Sequence, residues 1–95
     1  MRNLIVSAAV LAKIRDKHNV TVREVEQCFE NKVGVYLEDE RPTHQTDPAT
    51  LWFVATTHRD RLLKVSFMFL DGNVHLKSAY DAEPEAIALY DLHGK

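Results

Sequence analysis

The chain has 95 residues, of which 45% are hydrophobic and 27% are charged, and its formal net charge is −2 at pH 7. This length accommodates one domain with a single core, and it excludes a catalytic domain joined to a separate binding domain. Because the sequence pI is about 6.2, no overall positive field marks the chain as a nucleic-acid binder. Such a role needs a local patch, and lysines and arginines do concentrate at 13–23 and 59–64.

The sequence predicts neither a membrane-spanning segment nor a signal peptide. Its longest apolar stretch, Val65 to Leu70, is interrupted by Ser66 and is far shorter than the roughly 20 residues that span a bilayer. Residues 1–14 lack the basic start, long apolar block and cleavage site of a signal peptide. We therefore expect a cytoplasmic protein. The single cysteine, Cys28, is predicted to be a buried thiol in a helix.

The first third of the chain predicts two helices joined by a tight turn. Apolar residues recur with a period of 3.6 over residues 8–18 and again over residues 22–31. Thr21 and Glu24 have the spacing of a capping box, in which each side chain bonds the other residue's backbone N–H. Asn19 precedes them and tolerates the left-handed conformation that ends a helix. The second helix should therefore begin directly after Thr21.

The remaining residues predict a sheet followed by a last helix. The predicted strands lie near residues 35–39, 51–57, 62–70 and 73–80, with a long loop from Glu40 to Thr50. Asp71 and Gly72 are typical of the type I′ turn of a β-hairpin. Pro84 suits the first turn of a helix within residues 81–95. The fold class is therefore α+β: two N-terminal helices and a short C-terminal helix on an antiparallel sheet of three or four strands, all in one domain.

The hairpin turn predicts which side chains share a face of the sheet. A tight turn pairs Leu70 with Asn73 and, further along, Ser66 with Lys77 and Lys64 with Ala79. The face expected under the helices then carries Phe69, Phe67, Val65, Leu63, Val74, Leu76 and Tyr80. The opposite face carries Lys64, Ser66, His75 and Lys77, and it is predicted to stay open.

The predicted open face offers groups for phosphate chemistry. Cleaving RNA without a metal requires positive charge at the phosphate and a group that moves a proton, and Lys with His or Tyr provides both. The candidate catalytic residues are Lys64, His75, Lys77 and Tyr80. Lysines on the outer face of a strand are also commonly just solvated, and in this register Tyr80 has an alternative role in core packing. Both interpretations stay open.

Other basic residues are candidates for RNA binding. His18 and Lys17 lie at a helix C-terminus, where a histidine often only interacts with the helix dipole. Arg59 and Arg61 flank the turn between two strands, as a solvated tip or as a phosphate contact. The histidines lack metal-ligand spacing, and no glycine-rich loop exists to bind a nucleotide, so we predict neither a metal nor a cofactor.

Several short motifs resemble those of the BrnT toxins, small RelE-superfamily ribonucleases of bacterial type II toxin–antitoxin systems. The motifs are Lys-His-Asn-Val-Thr at residues 17–21, Val25 with Cys28 and Phe29, Lys77-Ser78-Ala79-Tyr80, and a last helix carrying Glu83 and Tyr90. The BrnT pattern has Gly in place of Asn19 and Arg in place of Tyr80. A related family of uncharacterised domains ends its strand in Val-Tyr, which is closer to Tyr80.

The resemblance implies a RelE-like fold, a metal-independent ribonuclease and a protein antitoxin as partner. An alternative is a non-catalytic module of the same fold that binds a protein, which the low pI and the loss of the strand-end arginine favour. A third and less favoured function follows from similar small proteins labelled ADP-ribosyl-(dinitrogen reductase) hydrolase. That chemistry is associated with paired metal-binding aspartates, which this sequence does not offer.

Overall fold

The computed structural model describes residues 1–41 and 46–95, which form three helices and one five-stranded mixed sheet. The elements are β1 (Leu4–Ile5), α1 (Ala8–Asp16), α2 (Val22–Asn31), β2 (Leu37–Glu38), β3 (Thr50–Thr56), β4 (Leu62–Leu70), β5 (Asn73–Asp81) and α3 (Pro84–His93). The strand order is β1-β5-β4-β3-β2, and β1 alone runs parallel to its neighbour. The predicted α+β class is confirmed, whereas a purely antiparallel sheet of three or four strands is wrong.

Most predicted elements are present, with shifted ends. Helix α2 has the predicted bounds, but α1 ends at Asp16, and α3 begins at Pro84 because Asp81 still belongs to β5. Strand β2 has only two residues, and β1 was not predicted, since two residues show no periodicity. The predicted loop from Glu40 to Thr50 includes residues 42–45, which lie outside the described residues.

The turn between α1 and α2 has the predicted geometry. Asn19 adopts the left-handed conformation with φ of 53°. The Thr21 Oγ1 accepts a hydrogen bond from the Glu24 backbone N–H at 3.1 Å, and the Glu24 carboxylate accepts one from the Thr21 N–H at 3.0 Å. Both halves of the capping box are therefore formed, and they begin α2 directly after Thr21.

Helix α2 covers one side of the sheet, which we call the core face, and Ile14 of α1 is fully buried in the hydrophobic core. The Phe29 ring of α2 lies 4.8 Å from the Phe53 ring and 5.3 Å from the Phe67 ring, measured between centroids. Cys28 is fully buried, as predicted, and its Sγ donates to the Ala55 carbonyl at 3.5 Å. Burial raises the pKa of this thiol to about 12, so Cys28 is an unreactive packing residue.

Helix α3 lies against the opposite side of the sheet, which we call the second face. Trp52 points away from Phe53 because successive strand residues alternate, and its ring lies 6.0 Å from the ring of the buried Tyr90 on α3. The Tyr90 hydroxyl donates to the Val35 carbonyl at 2.8 Å. The predicted open side of the sheet is therefore only partly open: α3 packs against β3 there, while Lys64 and Lys77 of the hairpin line cavities on the same side.

A β-bulge in β5 changes the predicted hairpin register. The turn is type I′, as φ of 54° at Asp71 and 77° at Gly72 shows, and Phe67 pairs with Leu76 as predicted. Beyond that pair, Ser66 faces Ser78 instead of Lys77, because Lys77 is an extra residue without an opposite partner. The predicted pairs of Ser66 with Lys77, Val65 with Ser78 and Lys64 with Ala79 are therefore wrong.

The bulge exchanges the faces of the last residues of β5. Lys64 pairs with Tyr80 and Val65 pairs with Ala79. Ala79 is fully buried in the core, whereas Tyr80 shares the second face with Lys64. Placing Tyr80 on the core face was an error of one residue in register, which moves every later side chain to the other face.

The capping box gives a test of stability. Thr21→Ala removes the acceptor of the Glu24 N–H and should lower the free energy of unfolding by about 1 kcal/mol. Thr21→Ser keeps the hydroxyl and serves as the control, with a loss of less than about 0.5 kcal/mol. Urea denaturation followed by circular dichroism measures both. Equal stabilities of the Ala and Ser variants would contradict the capping role.

Candidate functional site

A hollow of about 270 Å³ lies beside the β5 bulge on the second face. We call it the bulge hollow; its lining is Lys13, Asp39, Arg41, Thr50, Ser66, Lys77, Ser78 and Tyr80. The Lys13 Nζ donates to the Lys77 carbonyl at 2.9 Å, which gives α1 a contact with the bulged residue. The Lys77 Nζ reaches across β4 and donates to the Thr50 Oγ1 at 3.2 Å. These bonds hold two ammonium groups at one small concavity.

A third cation enters the bulge hollow from the segment after β2. The Arg41 guanidinium donates twice to the Asp39 carboxylate, at 3.0 and 2.7 Å, and Asp39 itself is only 9% exposed. This bidentate pair fixes the orientation of the guanidinium. The described lining of the bulge hollow therefore has three cationic side chains, Lys13, Arg41 and Lys77, and one carboxylate, Asp39. Its net charge is positive.

The Tyr80 ring lies close to two basic side chains, those of His18 and Lys64. Its ring centroid is 5.2 Å from the His18 imidazole, and the Lys64 Nζ lies 6.0 Å from the same centroid. The Lys64 Nζ is closer still to Trp52, at 4.7 Å from that ring, which is cation–π distance. Tyr80 therefore connects a histidine at the end of α1 with a lysine on β4.

The surroundings of His18 favour its neutral form. Burial lowers the pKa of the imidazole below 6.5, and the nearby positive charges of Lys17 and Lys13 lower it further. A neutral imidazole can accept a proton at physiological pH, which is the first requirement for a general base. The Asp81 carboxylate acts in the opposite direction but is the smallest of these influences.

A larger cleft of about 730 Å³ separates the second face from α3. We call it the α3 cleft; its lining is Leu37, Glu38, Asp39, Glu40, Arg41, Trp52, Lys64, Tyr80, Glu83, Glu85, Ala86, Leu89 and His93. It shares Asp39, Arg41 and Tyr80 with the bulge hollow, so the two cavities adjoin. Their charges differ, because five carboxylates line the α3 cleft.

The structure brings together some of the predicted site residues. Lys77 lines the bulge hollow, Lys64 lines the α3 cleft, and Tyr80 lines both. His18 lines neither cavity but contacts the Tyr80 ring, and Lys17 precedes it at the exposed end of α1. His75 lies further along β5, where it pairs with Met68 and Ile5, and it lines neither cavity. Arg59 is exposed at the β3–β4 turn.

Arg61 is engaged inside the protein. Its guanidinium donates to the carbonyls of His18 and Asn19 at 3.0 and 2.7 Å and to the Asp81 carboxylate at 2.8 Å. It also forms an ion pair with Glu24 at 3.3 Å. These bonds lower the pKa of the Asp81 carboxyl and connect the α1–α2 turn to the strands. Arg61 therefore orients the backbone of His18.

Six of the eight residues that line the bulge hollow were absent from the predicted site, and of these Ser66 alone had been placed on the predicted open face. Lys13, Arg41 and Thr50 show why the others were missed. Lys13 faces the bulge from α1, Arg41 follows a strand of two residues, and Thr50 lies in the predicted loop. Their assembly depends on the bulge and on the path of the chain after β2. The clustering of basic residues at 13–23 was the one sequence signal that included any of them.

No protein-family model matches the chain, and no curated protein is significantly similar to it. No helix within residues 1–41 and 46–95 is long and apolar enough to cross a membrane. Among the same residues, no group of three or more His, Cys, Asp or Glu side chains is arranged to hold a metal ion.

Arg59 and Arg61 form a matched pair for testing structural roles. Arg61→Met should lower the free energy of unfolding by about 2 kcal/mol, because two backbone carbonyls and two carboxylates lose a charged donor. Arg59→Met, two residues away on the exposed turn, should change it by less than about 0.5 kcal/mol. Chemical denaturation measures both. Similar losses in the two variants would contradict the internal role of Arg61.

Proposed function

We propose that this chain is a metal-independent endoribonuclease of the BrnT/RelE-like kind, acting in the bacterial cytoplasm and restrained by a protein antitoxin. The observation that carries the proposal is the bulge hollow, where Lys13, Arg41 and Lys77 converge among four hydroxyl-bearing side chains. Cationic donors and hydroxyls at one concavity suit the oxygens of a phosphate diester. The sequence resemblance supplies the toxin class and the antitoxin.

Neutral His18 provides the base for the proposed reaction. It accepts the proton of a ribose 2′-hydroxyl, whose oxygen forms a bond to the adjacent phosphorus while the bond from phosphorus to the 5′-oxygen breaks. The Tyr80 hydroxyl donates a proton to that leaving oxygen. The proton held by His18 then returns to the Tyr80 oxygen through water, which restores both side chains. The products are a 2′,3′-cyclic phosphate and a 5′-hydroxyl end. Lys77, with Lys13 and Arg41 in the bulge hollow, stabilises the negative charge that develops on the phosphate, and Lys64 adds positive charge from the adjoining α3 cleft.

His75, Arg59 and Arg61 have no role in this mechanism. His75 lies five residues before Tyr80 on β5, beside Met68 and Ile5, and not at the ring contact of Tyr80 with His18. Arg61 supports the backbone of His18, and Arg59 with Lys17 stays a prediction for contacts to more distant phosphates. A second candidate function is a non-catalytic protein-binding module of the same fold. The acidic lining of the α3 cleft favours it, since carboxylates repel RNA.

Replacing His18 tests the ribonuclease. Inducing the wild-type protein in bacteria should stop growth, and the purified protein should cleave single-stranded RNA in the presence of EDTA. His18→Gln should lower the cleavage rate by about 10²-fold to 10⁴-fold, because a general base is lost. His58→Gln is the matched control, since His58 is exposed, its backbone N–H donates to the Gln27 side chain, and its imidazole lies 3.1 Å from the Glu30 carboxylate.

The pH profile provides a second readout of the same variant. The neutral form of His18 is the active one, so the rate should fall as the pH decreases through its lowered pKa, with the half-maximum below 6.5. His18→Gln should lose this limb. A harmless wild-type protein that leaves RNA intact would contradict the enzyme, and full activity in His18→Gln would contradict the base assignment.

A further inference from the structure

The α3 cleft has features that the ribonuclease mechanism does not use. Its apolar lining comes from three elements, with Leu37 on β2, Trp52 on β3, and Ala86 and Leu89 on α3. Leu89 is 43% exposed, a large fraction for a leucine at the edge of a groove. At about 730 Å³ the cleft is large enough for several side chains of a bound segment.

The charges around this groove have one predominant sign. Glu38, Glu40, Glu83 and Glu85 line it together with the ion-paired Asp39, against the cations Arg41 and Lys64 and the exposed His93. An RNA phosphate or an anionic membrane would be repelled by these carboxylates. A positively charged segment would be attracted, and an apolar side chain on it would contact Leu37 and Leu89.

We infer that the α3 cleft docks a basic segment of a partner protein, in which lysines or arginines flank a leucine-like side chain. The leucine side chain enters between α3 and the second face, and the basic residues pair with carboxylates on the rim. This inference rests on the partner protein in the proposed function, and it does not require RNA cleavage.

The shared lining gives this docking a consequence for the bulge hollow. Tyr80 and Arg41 line both cavities, so a segment seated in the α3 cleft lies against two residues that also face the proposed phosphate position. An occupant of the cleft therefore hinders entry of RNA to the adjoining hollow. Binding of the partner and restraint of the enzyme would follow from one contact surface.

Trp52 makes the docking measurable, because it is the only tryptophan in the chain and it lines the cleft. The probe is a synthetic ten-residue peptide without tryptophan, carrying two leucines between lysine and arginine pairs. Titration should change the Trp52 fluorescence saturably. A peptide with serine for leucine, and one with glutamate for the basic residues, should each bind at least about tenfold more weakly.

Two pairs of variants separate this site from general electrostatic attraction. Glu83→Gln with Glu85→Gln should weaken peptide binding about tenfold. Asp60→Asn with Asp71→Asn removes the same charge at two distant turns with positive φ, where Asn is tolerated, and should weaken it less than about twofold. Leu89→Ser should weaken binding about fivefold, whereas Leu92→Ser, outside the cleft lining, should have little effect.

Several results would overturn the inference. One is that the two double variants of acidic residues weaken peptide binding equally, and another is that Leu89→Ser and Leu92→Ser do so. A third is that the protein binds guanosine monophosphate tightly but does not bind the peptide. A dimer of this chain that Leu89→Ser dissociates would assign the groove to a second copy instead. Because the titration contains no RNA, a failure here leaves the His18 cleavage test unaffected, and the reverse also holds.

Discussion

The extra residue in β5 decides which side chains meet on the second face of the sheet. Without the bulge at Lys77, Tyr80 would point into the core and Ala79 would take its place beside Lys64. With it, Tyr80 lies beside Lys64 and within ring contact of His18, and the carbonyl of the bulged Lys77 accepts a hydrogen bond from Lys13. Bulges commonly redirect side chains in this way at functional sites.

The second face is divided into two cavities of opposite charge that meet at Tyr80. The bulge hollow is basic and small, which suits a phosphate, and the α3 cleft is acidic with an apolar floor, which suits a basic protein segment. The net charge of −2 does not reveal these two cavities, because it sums the positive charge of the bulge hollow, the negative charge of the α3 cleft and the charges on the rest of the surface. Local charge, and not pI, is therefore the relevant quantity for both proposed ligands.

Local sequence signals predicted the local structure well. The capping box at Thr21, the left-handed Asn19 and the type I′ turn at Asp71 and Gly72 each depend on a few adjacent residues, and all three are confirmed. The bulge could not be predicted this way, because both registers bury a comparable apolar set. The position of α3 was also missed, since Trp52 and Tyr90 each predict burial but not the face on which it occurs. The site was predicted only in part for the same reason. Lys64 and Lys77 were predicted site residues, whereas Lys13 and Arg41 reach the site only through the tertiary fold.

The register of the β4–β5 hairpin is the central claim, and backbone nuclear Overhauser effects between the two strands measure it directly in solution. The bulged register predicts cross-strand contacts between Lys64 and Tyr80 and between Val65 and Ala79, together with contacts between Phe67 and Leu76. The last pair is common to both registers and confirms that the hairpin is formed. Contacts of Lys64 with Ala79 and of Val65 with Ser78 would contradict the account, because Tyr80 would then belong to the core and the two cavities would lose the residue they share.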